Sequence, residues 1–403
     1  MLELKNQSDP QALEGRDIVC ISASEWDQNW LSNHQYMSRL AERNRVLYVE
    51  RPRNLISASK CKLSARRENR CVGARVRSVG KATQSLLVAT PPPVLPMRFE
   101  TPVIHANQYM LRRWLRRVLA DHGFRDFILW SYSPDACFLH GNLGEAFGVY
   151  SITDDHASYK GSRNRESNVR KWERRLIEKV DVVFATAQNL VELKRPHNSN
   201  CFYAPHGVDA ELFATSMSSD TIPAEELGDM QKPIVGFIGL LNCRIDVELI
   251  QACAARRPDW NFVLIGPQEP EFDAKLFHCC PNVTVLGRCD RLDVPRFLKA
   301  FDVGFIPYIV DEHTRYLHPL KVLEYLAAGL PVVATNLPAM RQYGERVAVG
   351  TNVGEIISQL TAVMKRDGEQ SKSNRQSFAM KQTWGCRLQA MNERILEVMH
   401  AQP

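Results

Sequence analysis

Residues 311–335 read DEHTRYLHPLKVLEYLAAGLPVVAT. The stretch divides into a polar loop, a helix and a short buried strand. Pro319 suits the first turn of a helix, where a missing N–H costs nothing. Leu320, Leu323, Leu326 and Ala327 recur at helical spacing, so one face is apolar. Gly329 ends the helix and Pro331 stops it restarting. PVVAT is a β-branched run that fits only a buried strand. The helix therefore aims its N-terminus at whatever fills the preceding loop. Free N–H groups and the positive end of the dipole suit phosphate there. Lys321 lies in the first turn and Glu324 about one turn on. The element is expected to grip the diphosphate and ribose of a nucleotide.

Working outward, the same β–α alternation fills the second half. Strands are expected at 234–239 (IVGFIG), 262–266, 282–287 and 302–307, with helices at 246–256, 293–300, 353–366 and 386–399. The first half alternates too. It has strands at 17–22 (DIVCIS), 45–50, 85–90, 126–130, 149–153, 181–186 and 200–205, and helices at 33–43, 109–121 and 167–180. Between the halves, MSSDTIPAEELGDMQKP reads as a linker. The expected fold class is α/β, with two doubly wound parallel sheets in series. The expected boundaries are 1–209, a linker at 210–232, 233–380, and a C-terminal helix at 381–403 that crosses back to the first domain.

The chain has 403 residues, 44% hydrophobic and 24% charged, which is globular composition and enough for two domains. No apolar window approaches the roughly eighteen residues of a membrane span. Residues 1–15 read as a disordered lead-in without the basic start and apolar core of a secretion signal. The eleven cysteines show no C-x-x-C pair, which fits free thiols in a reducing cytosol. The net charge of +6 is concentrated at 60–81 and at 112–117, RRWLRR. A basic first half points to an anionic neighbour: a membrane surface, an anionic polymer or nucleic acid. Without zinc-finger spacing or an RRM-like aromatic motif, nucleic acid is the weakest of these. The helix at 109–121 reads either as a peripheral membrane contact or as a sheet-covering helix with a solvated arginine face.

Ligands of open α/β sheets bind beyond the carboxyl ends of strands, so the loops there hold the candidates. SEWDQNWLSNHQ, with Trp26 and Asp27, reads as an acceptor-facing loop or as an ordinary loop with packed tryptophans. Asp154, Asp155 and His156 lie just past an apolar strand. They suit acid–base work, sugar binding or a metal, or simply cap the next element. APHGVD, with His206, is a ligand contact or a turn at the domain boundary. In GFIGLLNCRID, Gly236 and Gly239 end a strand and Arg244 can reach a phosphate or be a solvated helix-start arginine. Neither G-x-G-x-x-G nor a P-loop is present, and no D-x-D triplet marks a metal–diphosphate site.

PLKVLEYLAAGLPVVAT closely resembles the C-terminal signature of the GT-B retaining glycosyltransferases with an E-x7-E-like motif. Within that group it looks most like bacterial enzymes of cell-surface polysaccharide assembly, of the teichuronic-acid type. WDQNW, TDDH, VDVVFAT, APHGVD, GFIG with RID, DWNFVLIGP, NVTVLGR and AFDVGFIPY follow in the expected order, so the likeness covers nearly the whole chain. The resemblance implies two Rossmann-like domains facing across a cleft. It implies sugar transfer from a nucleotide-sugar to a glycan or lipid-linked acceptor, with retention and without a metal or other cofactor. Glu324 would take the ribose hydroxyls. Arg244, Gly239, Arg315 and the N–H groups near Leu320 and Lys321 would hold the donor. His156 and Asp155 would meet the transferred sugar or the acceptor, and Trp26, Asp27 and His206 the acceptor. Tyr316 stands where the first glutamate of the motif falls, His206 where an asparagine is usual, and the Gly-Gly of the first loop is absent. From the cysteine pattern and the basic first half, the expected location is cytoplasmic, with an anionic inner-membrane surface as a candidate partner and no nucleic acid. The alternative is a degenerate relative that binds sugar nucleotides or scaffolds an assembly.

Overall fold

The computed structural model describes residues 13–27, 30–55, 74–79, 85–96, 101–156, 163–312 and 314–402. The lead-in up to residue 12, most of the basic run at 60–81, Gln28 and Asn29 of the first loop, and 157–159 after TDDH lie outside these. The chain divides into two compact units, after Pro205 and again after Arg387.

The first unit runs β1 (Asp17–Ile21), α1 (Ser32–Leu40), β2 (Arg45–Val49), β3 (Arg75–Ser78), β4 (Leu86–Thr90), α2 (Thr101–Asp121) and β5 (Ile128–Ser131). It continues with β6 (Phe147–Ile152), α3 (Arg163–Ile177), β7 (Val182–Ala185), α4 (Gln188–Lys194) and β8 (Cys201–Tyr203). The sheet order is β3-β4-β2-β1-β5-β6-β7-β8. Every pair is parallel except β3 with β4. The central strands are apolar on both faces, as helices on both sides require. β3, RVRS, is half-exposed and carries two arginines, so no apolar run announces it. Helix α2 begins at 101 rather than 109, because Asn107 holds it down. Its side chain accepts the N–H of Leu95 (2.8 Å) and donates to the Leu95 carbonyl (3.1 Å).

The second unit opens with α5 (Ala210–Ala214) and then β9 (Ile234–Ile238), α6 (Val247–Arg256), β10 (Asn261–Ile265), β11 (Val283–Leu286), α7 (Val294–Ala300) and β12 (Val303–Ile306). After these come α8 (Leu320–Ala327), β13 (Val332–Thr335), β14 (Val347–Gly350), α9 (Val353–Arg366), α10 (Glu369–Met380) and α11 (Trp384–Ala401). The sheet is parallel with order β11-β10-β9-β12-β13-β14, the doubly wound order that reverses between its first and fourth strands. Residues 210–232, read as a linker, instead pack as part of this unit. Phe213, Ala224 and Leu227 are buried in its core, and the Ser216 hydroxyl donates to Phe213 O at 2.8 Å. Helix α11 starts in the second unit, and from Leu388 onward it belongs to the first.

Gly236 does not end its strand. It lies inside β9, in register with Gly304 of β12. A Cβ on Gly236 would meet the Phe301 ring at 2.0 Å, and one on Gly304 the Tyr325 ring at 2.3 Å. At the reversal point, then, two adjacent strands give up side chains to admit two aromatic rings. One of those rings belongs to α8.

Candidate nucleotide site

Helix α8 is seated by its own sequence. Val322, Leu323, Tyr325, Leu326 and Ala327 are buried in the core below it. The Tyr325 hydroxyl accepts the N–H of Ile238 at 2.9 Å, which ties the helix to the end of β9. Burial pushes this phenol well above its ordinary range. At the far end Gly329 takes φ +73° and Leu330 N–H returns to Tyr325 O at 2.9 Å, a closure that favours glycine. The Arg375 guanidinium then clasps Gly329 O at 2.9 and 2.6 Å and is itself held by Asp367.

Pro319 is the residue just before the helix rather than within its first turn, with φ −68°. No acidic side chain stands in that turn, so its leading N–H groups are open to an anion. Gly239 follows β9, its N–H bonded to Ile265 O at 2.8 Å. A Cβ on Gly239 would lie 3.2 Å from Lys321 Cε and 2.9 Å from the Phe237 ring. Gly266 follows β10 with φ +151°, and a Cβ there would fall 1.7 Å from Gly239 O. The ends of β9 and β10 are therefore packed backbone against backbone, which only glycine permits, and the Lys321 side chain of α8 lies against Gly239. Lys321 Nζ lies 2.7 Å from Glu324 Oε2, with the carboxylate buried and the ammonium a quarter exposed.

Two loops complete this end of the sheet. Leu241 N–H bonds Pro267 O (2.9 Å), Asp246 N–H bonds Pro307 O (2.8 Å), and Ile309 N–H bonds Arg244 O (2.8 Å). Asp246 caps α6 by accepting Leu249 N–H. Asp311 and Thr314 lock the second loop by exchanging bonds of 2.9 and 2.8 Å. Arg315 is exposed, and its Cζ is 6.0 Å from the half-buried Tyr316 ring. Gly239, Lys321 and Glu324 are thus brought together, with Leu320 opening the same helical turn. Arg244 and Arg315 sit on the adjoining loops. Gly266 and Tyr325 were not anticipated. Gly266 had one signal, a glycine directly after an apolar strand; Tyr325 looked like one more core residue of an amphipathic helix.

The other candidates sit elsewhere. His206 is in the second unit, its ring 5.5 Å from His318 and 6.0 Å from Trp384. Gly207 lies against the Trp384 backbone, where a Cβ would come to 2.6 Å, so APHGVD is a close-packed boundary turn. His318 bonds Tyr343 Oη at 3.1 Å. Burial, then His206 and Arg387, keep it neutral well below the usual imidazole range. In the first unit Trp26 is buried, only 5% exposed, with its ring packed 4.9 Å from that of Tyr48. Asp27 is exposed and paired with Arg77 at 2.8 Å. Asp155 is buried, while Asp154 and His156 are half-buried, in the loop after β6. Among the described residues no group of three or more His, Cys, Asp and Glu side chains is placed to hold a metal ion.

The family model for glycosyl transferases group 1 matches residues 232–365. That span holds the whole of the α8 site. Residues 232–365 form a group 1 glycosyltransferase domain. Over 237 residues the chain is 29% identical to the putative teichuronic acid biosynthesis glycosyltransferase TuaH of Bacillus subtilis (strain 168), covering 56% of this chain and 59% of that protein. The match therefore spans little more than half of the relative's length. Sucrose-phosphate synthase from Thermosynechococcus elongatus superposes with a TM-score of 0.70 at 15% identity, over 96% of this chain and 100% of that one. Anabaena Alr3699/HepE, solved in complex with UDP and glucose, gives 0.65 at 14% identity, over 96% and 100%. At such identities the likeness concerns the fold, which is GT-B: two α/β units of largely parallel sheet, the second carrying the glycosyltransferase domain.

Proposed function

We propose that the protein transfers a sugar from a nucleotide-diphosphate-sugar to a glycan or lipid-linked acceptor in cell-surface polysaccharide assembly, with retention and without a metal. The carrying observation is the Lys321–Glu324 pair in the first turns of α8, with the Lys321 side chain lying against Gly239. The chemistry follows from these groups. Diphosphate at the helix start takes the leading N–H groups and draws Lys321 away from Glu324, which leaves the carboxylate for the ribose hydroxyls. Positive charge at the diphosphate stabilises it as the leaving group. Arg244 and Arg315, on the adjoining loops, are assigned to the same donor. Asp155 and His156, beyond β6, are assigned to the transferred sugar or the acceptor. TuaH, a putative teichuronic acid biosynthesis glycosyltransferase, supports a polysaccharide product, and HepE, solved with UDP and glucose, supports a uridine nucleotide.

Calorimetry against a panel of nucleotide-sugars tests this. One donor should bind, Glu324→Ala should weaken it about tenfold or more, and adding acceptor should release nucleoside diphosphate. Unchanged affinity in Glu324→Ala would remove the ribose assignment. Tyr316 at the usual carboxylate position favours a second reading, a binding protein without turnover. Donor binding with no nucleotide release on any acceptor would favour that one.

A further inference from the structure

Helix α2 buries one face and leaves the other outside the proposed reaction. Ile104, Leu111, Leu115, Val118 and Leu119 turn inward. Outward lie Tyr109, 57% exposed, and Met110, 39% exposed, followed by Arg112, Arg113, Arg116 and Arg117. From residue 101 to 120 the helix has no acidic residue. Two of the arginines lean on neutral acceptors that leave their charge uncancelled. Arg112 donates to Asn142 Oδ1 (3.2 Å) and Arg116 to Asn142 O (3.1 and 2.6 Å). Arg113 and Arg117 are exposed.

The basic surface continues onto a second helix. Phe138 lies between α2 and α3: its ring is 5.3 Å from that of His105 on α2, and Arg175 Cζ of α3 is 5.7 Å from it. On α3, Arg170 and Arg174 pair with Glu166 and Glu178, while Lys171 and Arg175 add exposed charge. Lys179 donates to the carbonyls of Cys137 and His140 in the same intervening segment. Helix α2 thus presents a cationic face that includes an exposed aromatic and a thioether side chain, and α3, linked to it through Phe138, carries further exposed cations.

We propose that this face docks on an anionic lipid bilayer, with the arginines at the phosphate level and Tyr109 and Met110 in the headgroup boundary. Cations alone would suit any polyanion. The exposed Tyr109 and Met110 beside them favour a bilayer, whose interface takes an amphipathic ring and an apolar tip together. The proposal is independent of the transferase reading, so its test reads partition rather than turnover.

The full chain is sedimented with vesicles of phosphatidylcholine, and with the same lipid doped with phosphatidylglycerol. Partition onto the doped vesicles only is expected, and it should weaken as salt is added. Arg113→Gln with Arg117→Gln should lower it roughly twenty-five-fold, at about fivefold per cation. Tyr109→Ser with Met110→Ser should lower it further at high salt, where the charge contribution is screened. All four side chains are exposed, and circular dichroism checks that the variants fold. Equal binding to both vesicle types, or binding unchanged in the double glutamine variant, would overturn the proposal. So would retention on heparin without partition on vesicles, which would assign the face to a soluble polyanion.

Discussion

At the carboxyl end of β1 the chain places Ser22, Ser24, Asn33 and Tyr48; at the same end of β9, the corresponding strand of the second sheet, it places Gly239 and, from β10, Gly266. The first set closes on itself. Ser22 Oγ is 2.6 Å and Ser24 Oγ 3.0 Å from Tyr48 Oη. The Asn33 amide reaches all three at 2.7 to 2.9 Å. His34 accepts Leu31 N–H at Nδ1 (3.0 Å), so its proton sits on Nε2, facing Glu25 O (3.0 Å) and Tyr48 Oη (3.2 Å). Burial lowers this imidazole and keeps it neutral. Trp26 covers the group. The second set offers backbone and a charged pair instead of hydroxyls bonded to one another. The end of β1 is therefore filled by hydroxyls bonded to one another, with the buried Asn33 Oδ1 left unpaired, and the end of β9 is the receptive one. The match to group 1 glycosyltransferases falls on the receptive one.

The hardest test of that contrast is Gly266→Ala. Its φ of +151° and the 1.7 Å approach to Gly239 O leave no room for a Cβ. A loss of about 4 kcal/mol or more in urea unfolding, with no donor binding, is expected. Gly287→Ala, with nothing within 4 Å, is the control, expected within about 0.5 kcal/mol of the parent. Paired tyrosine substitutions come next. Tyr325→Phe leaves the Ile238 N–H unpaired, and Tyr48→Phe opens the hydroxyl cluster; each should cost about 1–3 kcal/mol. Only Tyr325→Phe should also weaken donor binding, because it frees the end of β9 from the helix bearing Lys321 and Glu324. Equal weakening by Tyr48→Phe would break the comparison.

Much of this contrast was legible beforehand, and the residues show why the rest was not. Helix α8 and strand β13 announced themselves by period, by Gly329 and by a β-branched run, and three of the residues proposed for the donor, Leu320, Lys321 and Glu324, lie on that helix. Both sheets followed from apolar runs at regular intervals. β3 stayed hidden because an edge strand needs no apolar face. Helix α10 was missed because Ala379 is its single fully buried side chain. The segment 210–232 looked like a linker by composition, yet Phe213 and Leu227 were enough to dock it. Trp26 covers a polar cluster, and a tryptophan after a strand reads alike whether it does so or faces a ligand. Tyr325 and Gly304 act as a pair across elements, and no single-residue signal marks such a pair.

His140 gives the smallest effect at neutral pH, and it probes the closed packing of the first unit. It is buried, with Nε2 2.7 Å from Ser131 Oγ on β5. Burial, and then the nearby Lys179 ammonium, push its pKa down to about 3. An unfolded histidine titrates near 6.5. Between these values the unfolded chain takes a proton that the folded one refuses. Stability present above about pH 6.5 is therefore lost as the pH falls toward 3, by at most about 1.4 kcal/mol per pH unit from this group. His34, lowered by the same cause, adds to the loss in the first unit; His318 does so in the second. His140→Asn should flatten the acid limb of the stability curve by about one proton, whatever it does to stability at pH 7. Hydrogen exchange then localises the effect: on acidification β5 and β6 should lose protection in the parent and retain more of it in His140→Asn, with β9 and β12 alike in both. An unchanged slope would mean that His140 already takes up its proton in the folded state, and that this part of the first unit is open to water.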